Sequence, residues 1–414
     1  MKINKREKID YVIIYLLLYI SNSFTLSIFS GTTRILMYLG LVIIMVVSNL
    51  ARDRNIRIRQ MNLLIFIFIL LNITTTVLVN EEGFKQLIIT TSLFFVAFIY
   101  SGYYSFRYFI EKYIKVIFFL SVFSLIIYFL ALFLPELIMK LPKSHNSVGI
   151  IAYDAIFSTI IIDGYLIRNQ SIFWEPGAFQ TYINLALIFN LFFFKENHIR
   201  NLFVFGVALF TTYSTTGYIV GLVIIFAFLL DSLSINSKKS HRRKISMICV
   251  IITLLIAGII FYDSLPNNAK YQLFGKVSVY LETGDRSSTS IRIDAIKIPI
   301  QKFLENPIFG NGSLRMVEIA KEYGYKMNTA TMVNWFSMFG LFIGFIMNYG
   351  IFKLCIQLKC KKHIRLLLYV AFLFAIASED YVRNPSILLF VFYGYHYITQ
   401  KIDTNKLANK KLNI

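Results

Sequence analysis

The stretch 113–134, YIKVIFFLSVFSLIIYFLALFL, is 22 residues long and contains a single charged residue, Lys115. About 20 apolar residues in an α-helix are enough to cross the hydrocarbon core of a bilayer. Backbone groups in lipid must be hydrogen-bonded within their own segment, which a helix achieves and an open strand does not. The stretch therefore predicts a transmembrane helix, and with it a helical membrane fold.

Comparable apolar stretches recur along nearly the whole chain, which is 57% hydrophobic and 15% charged with a mean hydropathy of +0.64. These values are typical of a polytopic membrane protein, so we predict an all-α fold with one membrane domain over residues 1–414. About twelve spans are predicted, at residues 11–29, 34–50, 61–79, 86–104, 113–134, 177–194, 200–213, 217–232, 246–262, 330–352, 364–378 and 384–399.

The distribution of Lys and Arg predicts the orientation. With both termini in the cytoplasm, the whole net charge of +20 falls on the cytoplasmic side, as the positive-inside rule requires. This asymmetry makes nucleic acid a poor explanation of the basic composition and makes membrane lipid the expected partner of the basic clusters. The first apolar stretch has no clear cleavage site, so it is interpreted as a retained first helix.

Two predicted extracytoplasmic loops are long, at residues 135–176 and 263–329. Long ordered loops usually carry function. Within the first, the apolar segment Val148–Ile167 is interpreted as interfacial or re-entrant, because a span there would move the basic cluster 238–244 to the outer side.

The second loop contains an amphipathic helix, because apolar residues recur at helical spacing from Ile293 to Leu304. Whether this helix lies on the membrane or on the helix bundle is left open. Pro299 is expected to bend or divide it. The pair Asn306 and Pro307 is expected to end it, and glycines 310 and 312 then allow a tight turn.

Arg168, Arg286 and Arg292 are the candidates for binding a diphosphate. Guanidinium groups pair bidentately with phosphate oxygens and stay charged near a low-dielectric surface. The alternative is that each arginine only pairs with a nearby loop carboxylate, among Asp163, Glu175, Asp285 and Asp294.

Glu175 precedes a proline at the predicted start of a membrane helix, where a carboxylate is either a partner of the helix dipole or a base for an acceptor hydroxyl. Asp380, in the short turn SEDYVRNP, is the second candidate base, with ordinary loop solvation as its alternative. Trp174 is a candidate for stacking on a sugar, although aromatic residues are common at membrane interfaces.

No cofactor or metal is predicted. The sequence lacks a phosphate-binding or dinucleotide-binding glycine pattern, and its cysteines at 249, 355 and 360 have no metal-ligand spacing. An ATP-driven mechanism is therefore not expected.

Four segments resemble the superfamily of bacterial O-antigen polymerases and ligases, the Wzy-type polysaccharide polymerases. They are Arg292–Gly312, FWEPG at 173–177, YSTTG at 213–217 and Asn328–Gly340. The similarity in hydropathy covers nearly the whole chain, whereas these motifs cover about sixty positions.

The resemblance implies a GT-C-like glycosyltransferase in the bacterial cytoplasmic membrane. It would join undecaprenyl-diphosphate-linked oligosaccharides, one as donor and one as acceptor, on the outer face, and a chain-length regulator is a possible partner. Ligases of the superfamily typically carry a histidine near the segment matching Asn328–Asn334, and this chain has none there, which favours a polymerase. The alternatives are an O-antigen ligase and a flippase for lipid-linked oligosaccharide. A flippase usually shows charges inside its spans and two similar halves.

Overall fold

The computed structural model describes residues 5–50, 60–146, 149–162, 166–194, 198–233, 288–324 and 329–396. It confirms an all-α polytopic membrane protein. Among the described residues, six helices are long and apolar enough to cross a membrane: Gly31–Ser48, Gln60–Val79, Phe84–Tyr103, Phe106–Phe133, Thr215–Ser232 and Thr331–Ile356. The predicted span 246–262 lies outside the described residues.

The chain divides into two compact units, and the first comprises Met1–Val116, Arg292–Gln357 and Ile376–Ile414. Its helices are α1 (Lys5–Asn22), a short 3-10 turn (Thr25–Ile28), α2 (Gly31–Leu50), α3 (Gln60–Val79), α4 (Phe84–Tyr103) and the first part of α5 (Phe106–Phe133). The later elements are α10 (Ser288–Glu305, from Arg292 onward), α11 (Ser313–Glu322), α12 (Thr331–Ile356) and a helical segment at residues 385–396.

The centre of the first unit is the helical segment 385–395, which is buried throughout. Gly394 there meets Gly350 of α12 so closely that a Cβ at 394 would collide with the Gly350 carbonyl. Small residues let helix backbones approach each other in membranes, where packing rather than hydrophobic exclusion drives association. Around this pair, α2 and α3 pack on α4, and α12 packs on α3.

Polar contacts in the first unit join segments that the sequence predicts to lie on one side of the membrane. At the predicted cytoplasmic end, the hydroxyls of Tyr104 and Tyr108 donate to Asp10 at 3.1 and 2.6 Å. At the predicted outer end, Asn384 donates to Asn22 at 2.9 Å. The predicted order of crossings is therefore compatible with these contacts.

The second unit comprises Ile117–Ile291 and Leu358–Ala375. It holds the remainder of α5, α6 (Pro135–Ile138), α7 (Pro176–Phe192), α8 (His198–Thr211), α9 (Thr215–Leu233) and nearly all of α13 (Lys362–Ile376). Every residue of α7 except Gly177 is buried, which makes α7 the core helix of this unit.

Polar side chains hold α7 to its neighbours. The Thr181 hydroxyl donates to the Ala375 carbonyl at 2.9 Å, and the Asn184 amide donates to the Gly217 carbonyl at 3.2 Å. Asn201 of α8 donates to Asn190 at 2.9 Å. Such interhelical hydrogen bonds fix the register of helices whose apolar surfaces would pack equally well against lipid.

The segment Val148–Ile167 is predicted to be interfacial or re-entrant, and its described part contains two short strands, which do not test that position. β1 (Lys143–His145) pairs with β2 (Ile151–Asp154), which pairs with β3 (Thr159–Ile160). Ile160 packs into a cluster with Ile127 and Tyr128 of α5. The small sheet is thereby held against the C-terminal part of α5.

The structure shortens one predicted helix and confirms another. The predicted span 11–29 is helical only to Asn22, after which the chain enters the 3-10 turn. The amphipathic helix of the second long loop is confirmed as α10, which continues through Pro299 and is not divided there.

Helix α12 is broken at Gly340, where φ is +79° and ψ is −176°. The carbonyls of Ser337 and Met338 accept the backbone N–H groups of Asn311 and Gly312 at 2.8 and 3.0 Å. The N–H of Leu341 donates to the Pro307 carbonyl at 2.8 Å. A helix broken within the membrane is stable only where other protein groups accept or donate the hydrogen bonds that the break leaves unmade. The turn at 306–312 supplies these hydrogen-bond partners for α12.

We predict that Gly340→Ala destabilises the protein by roughly 2 kcal/mol or more, because φ is positive there and strained conformations of non-glycine residues cost about 1–3 kcal/mol. The added Cβ would also collide with the Ile308 carbonyl. Thermal unfolding of the purified protein in lipid nanodiscs measures the change.

Gly40→Ala in α2 is the matched control, because a Cβ there meets nothing within 4 Å. Alanine in a helix interior is favoured over glycine by about 1 kcal/mol, so this variant should be as stable as the parent or slightly more so. Equal stability of the two variants would show that the break at Gly340 does not constrain the fold.

Candidate functional site

The turn at 306–312 holds the end of α10 to α12. Gly310 and Gly312 adopt φ values of +71° and +73°, as the predicted tight turn requires. The Asn311 amide donates to the carbonyls of Lys302 and Ser337 at 2.7 and 3.2 Å. Its oxygen accepts from Asn306 at 2.7 Å. The helix that carries Arg292 is thereby anchored at its C-terminal end.

The C-terminal end of α3 and the residue that follows it hold the same turn from another direction. The Thr76 hydroxyl donates to the Phe309 carbonyl at 2.9 Å, and the Asn80 amide donates to the Gly310 carbonyl at 3.2 Å. These two bonds satisfy carbonyls that glycine-rich turns leave without helical partners. The turn is therefore fixed within the first unit by α10, by α12 and by the end of α3.

A polar cluster lies beside this turn and consists of Glu82, Gln86, Ser313 and Arg383, called here the Glu82 cluster. The Glu82 carboxylate accepts the backbone N–H of Leu314 and the Ser313 hydroxyl, the latter at 3.2 Å. Ser313 accepts from Gln86 and from Arg383, the latter at 3.4 Å. A carboxylate at the start of α11 is favourable because the helix dipole is positive there.

The positive charge of Arg383 acts on two carboxyl groups of the first unit, those of Glu82 and Asp380. Burial raises the pKa of Glu82, against the opposing effects of its hydrogen bonds to Leu314 and Ser313 and of the Arg383 charge. Burial likewise raises the pKa of Asp380, while Arg383 and the N–H of Val382 oppose that shift. Asp380 thus lies in a charged cluster, and its catalytic role stays a prediction.

The sequence analysis missed Glu82. The surrounding sequence gives little indication of this contact, since the tetrapeptide Asn80–Gly83, NEEG, is typical of an ordinary solvated turn between two membrane helices. Only the fold shows that one of its two glutamates, Glu82, contacts α11, whereas the side chain of Glu81 is exposed.

Arg292 lies on α10 in the first unit, and its side chain is exposed. Arg286 lies outside the described residues. Neither the diphosphate role predicted for Arg292 nor that predicted for Arg286 is tested by the structure.

Arg168 lies in the second unit, where it binds the turn between α8 and α9. Its Nε donates to the Thr212 carbonyl at 2.9 Å, and its Nη2 donates to the Tyr213 carbonyl at 3.2 Å. The next residue, Asn169, donates to the Thr211 hydroxyl at 3.0 Å. Because the guanidinium satisfies backbone carbonyls of this turn, it has a structural role beside any role in binding phosphate.

Glu175 is the N-cap of α7, yet its side chain makes no capping hydrogen bond and is exposed. Its backbone carbonyl accepts the N–H groups of Ala178 and Phe179 at 3.1 and 3.2 Å. Phe173, which is fully buried, stacks on Phe179 and fixes the approach to the helix. The chain thus holds the Glu175 backbone rigidly and leaves its carboxylate accessible.

The side chain of Trp174 is partly buried, next to Glu175 in the second unit. Arg168, Trp174 and Glu175 therefore belong to one unit, and Arg292 and Asp380 to the other. The sugar contact predicted for Trp174 stays a prediction.

Comparison with known families gives a match over part of the chain. The model of a family described as O-antigen ligase matches residues 201–356, from α8 to the end of α12. This segment includes Arg292, the turn at 306–312 and the break at Gly340. No curated protein matches the chain.

We predict that Glu82→Ala lowers the free energy of unfolding by about 1–2 kcal/mol, because it leaves the Leu314 N–H without its acceptor. Glu82→Gln keeps an oxygen acceptor and should stay close to the parent. Glu81→Ala is the control, since it removes an exposed carboxylate one residue away. Unfolding in nanodiscs at neutral pH compares the three variants.

The pH dependence tests the same cluster. Since the pKa of Glu82 is raised above its ordinary value of 4.5, the folded protein binds this proton at a higher pH than the unfolded chain does. The parent should therefore gain stability relative to Glu82→Gln as the pH falls from neutrality towards 4.5. A constant difference over this range would contradict the proposed burial of the carboxylate.

Proposed function

We propose that this chain, which belongs to the superfamily of Wzy polymerases and O-antigen ligases, transfers a polyprenyl-diphosphate-linked glycan to an acceptor in polysaccharide biosynthesis. The family match supports membrane glycosyltransfer of the ligase or polymerase type. The finer proposal is that the acceptor is another lipid-linked repeat unit, so that the protein is a polysaccharide polymerase in the bacterial cytoplasmic membrane.

The proposed reaction is a substitution at the anomeric carbon of the donor glycan. An acceptor hydroxyl oxygen forms the new glycosidic bond, and the bond between the sugar and the diphosphate breaks. Undecaprenyl diphosphate leaves with the electron pair, and the hydroxyl proton passes to a carboxylate. Arg292, Arg168 and Arg286 are proposed to stabilise the charge on the leaving diphosphate.

Glu175 is proposed as the group that accepts the proton, with Asp380 as the second candidate. The exposed carboxylate of Glu175, which makes no capping bond, supports this assignment, because a base must reach its substrate. Asp380 is less suited to direct contact because it is only partly exposed and lies beside Arg383. Trp174, partly buried beside Glu175, is proposed to contact a sugar ring.

The observation that favours polymerase over ligase is the absence of histidine from residues 328–334. The family match covers this segment but supports polymerase and ligase equally. A ligase therefore remains the second candidate function, and its acceptor would be a different molecule, such as a lipid core. A flippase is disfavoured, since the matched family is one of group-transferring enzymes.

Deletion of the gene should leave single lipid-linked repeat units on the outer face of the membrane and abolish long chains. The size profile of undecaprenyl-diphosphate-linked glycans and of surface polysaccharide measures this outcome. Long lipid-linked chains that are not attached to a final acceptor would identify a ligase instead. Single units retained on the inner face would identify a flippase.

Arg292→Ala and Glu175→Ala should each lower the rate of polymer formation by about a hundredfold or more, as expected when an electrostatic partner or a general base is lost. The measurement is polymer formation by membranes supplied with lipid-linked repeat units. Each variant should remain in the membrane at the parental level, because both side chains are exposed.

The matched controls are Arg315→Ala and Glu305→Ala. Both side chains form exposed ion pairs, with Glu318 and with Lys302 respectively. Exposed pairs contribute about 0–1 kcal/mol, so these variants should retain parental activity and stability. Near-normal polymer from both test variants would reject the site assignment while leaving the family membership intact.

A further inference from the structure

Helix α10 has three different faces, whereas a helix on the surface of a soluble protein usually has two. One face is buried against the protein and contains Ala295 and Ile298, which are 8% and 6% exposed. A polar exposed face contains Lys297, Gln301 and Glu305. The third face is apolar and exposed, and its residues are Ile293, Ile296, Ile300 and Leu304, at 46%, 39%, 43% and 69% exposure.

The order of these faces around the helix is informative. At 3.6 residues per turn, the exposed apolar face lies roughly opposite Ala295 and Ile298, and the polar face lies between them on one side. Phe303 lies between them on the other side, where it contacts Phe336 of α12 with ring centroids 5.5 Å apart. A helix with protein on one side, lipid on the opposite side and water between them presents its side chains in this order.

The depth of the C-terminal end of α10 follows from its contact with α3. Helix α3 has 20 residues, about 30 Å of helix, which matches the thickness of the hydrocarbon core. Thr76, which donates to the Phe309 carbonyl, precedes the end of α3 by three residues, or about 4.5 Å. The turn that follows α10 therefore lies at the edge of the core.

Apolar residues are also exposed at the turn that follows α10 and at the end of α3. Ile308 and Phe309, which follow α10, are 54% and 39% exposed. Leu78 and Val79, the last two residues of α3, are 68% and 60% exposed. Exposed apolar residues are thus present both at the end of a helix long enough to cross a membrane and on the helix of the second long loop.

We propose that α10 lies in the interfacial layer of the bilayer on the predicted extracytoplasmic side. Its face Ile293, Ile296, Ile300 and Leu304 contacts phospholipid acyl chains, and its polar face points to water. An amphipathic helix in this position buries its apolar side near the boundary between headgroups and acyl chains. Lys297 on the polar face then lies at the level of lipid phosphates, whatever substrate the protein uses.

Site-directed spin labelling tests this placement in the full-length protein. Single cysteines at Ile300 or Leu304 are introduced after Cys249, Cys355 and Cys360 are replaced by alanine, and the labelled protein is reconstituted in phosphatidylglycerol and phosphatidylethanolamine vesicles. Collision with oxygen reports exposure to acyl chains, and collision with a water-soluble nickel chelate reports exposure to water. Gln301→Cys on the polar face and Leu78→Cys on α3 are the references.

Labels at 300 and 304 should resemble the label at 78, with an oxygen-to-nickel collision ratio several-fold above that at 301. A ratio at 300 and 304 equal to that at 301 would place the helix in water and overturn the proposal. Poor access of both reagents at 300 and 304 would show that a protein segment or a second copy covers this face, which also overturns it. Ile296→Cys provides an independent position on the same face.

Discussion

The break in α12 is the constraint on which the first unit depends. Once Gly340 leaves the helical conformation, the carbonyls of Ser337 and Met338 and the N–H of Leu341 need partners that lipid does not provide. The turn at 306–312 supplies all three, and Thr76, Asn80 and Glu82 hold that turn and the start of α11 in place. The placement of α10, and so of Arg292, follows from this pairing.

The second unit meets the same constraint by other means. Its buried helix α7 carries amide and hydroxyl side chains that bond to three neighbouring helices, which fixes their register. At the predicted outer end, Arg168 donates to two backbone carbonyls of the turn that follows α8. This candidate for binding substrate phosphate thus also satisfies backbone groups between two membrane helices.

The functional proposal rests on groups that the fold leaves accessible. Arg292 and Glu175 have exposed side chains on rigidly held backbones, which suits residues that must meet a large lipid-linked substrate. The Glu82 cluster and Asp380 are more enclosed, with carboxyl pKa values raised by burial. This contrast distinguishes residues suited to touch a substrate from residues suited to hold the loops that present it.

The sequence by itself determined the helical membrane class, six apolar helices long enough to cross a membrane, the amphipathic α10 and the tight turn at Gly310 and Gly312. These features follow from local patterns: the length of apolar stretches, helical spacing and glycine positions. The sequence did not reveal the strands between 143 and 160, because they are short and pack on the C-terminal part of α5, a contact that local alternation does not indicate.

Only the tertiary structure decided what the glycines and small polar residues do. Gly340 lies within a long apolar stretch, and its role appears only when Pro307, Asn311 and Gly312 pair with the broken helix. Glu82 lies more than two hundred residues from Ser313 in the chain, yet their contact is direct. Such pairings depend on which helices are neighbours, and in a membrane nearly every helix surface is apolar, so local sequence cannot specify them.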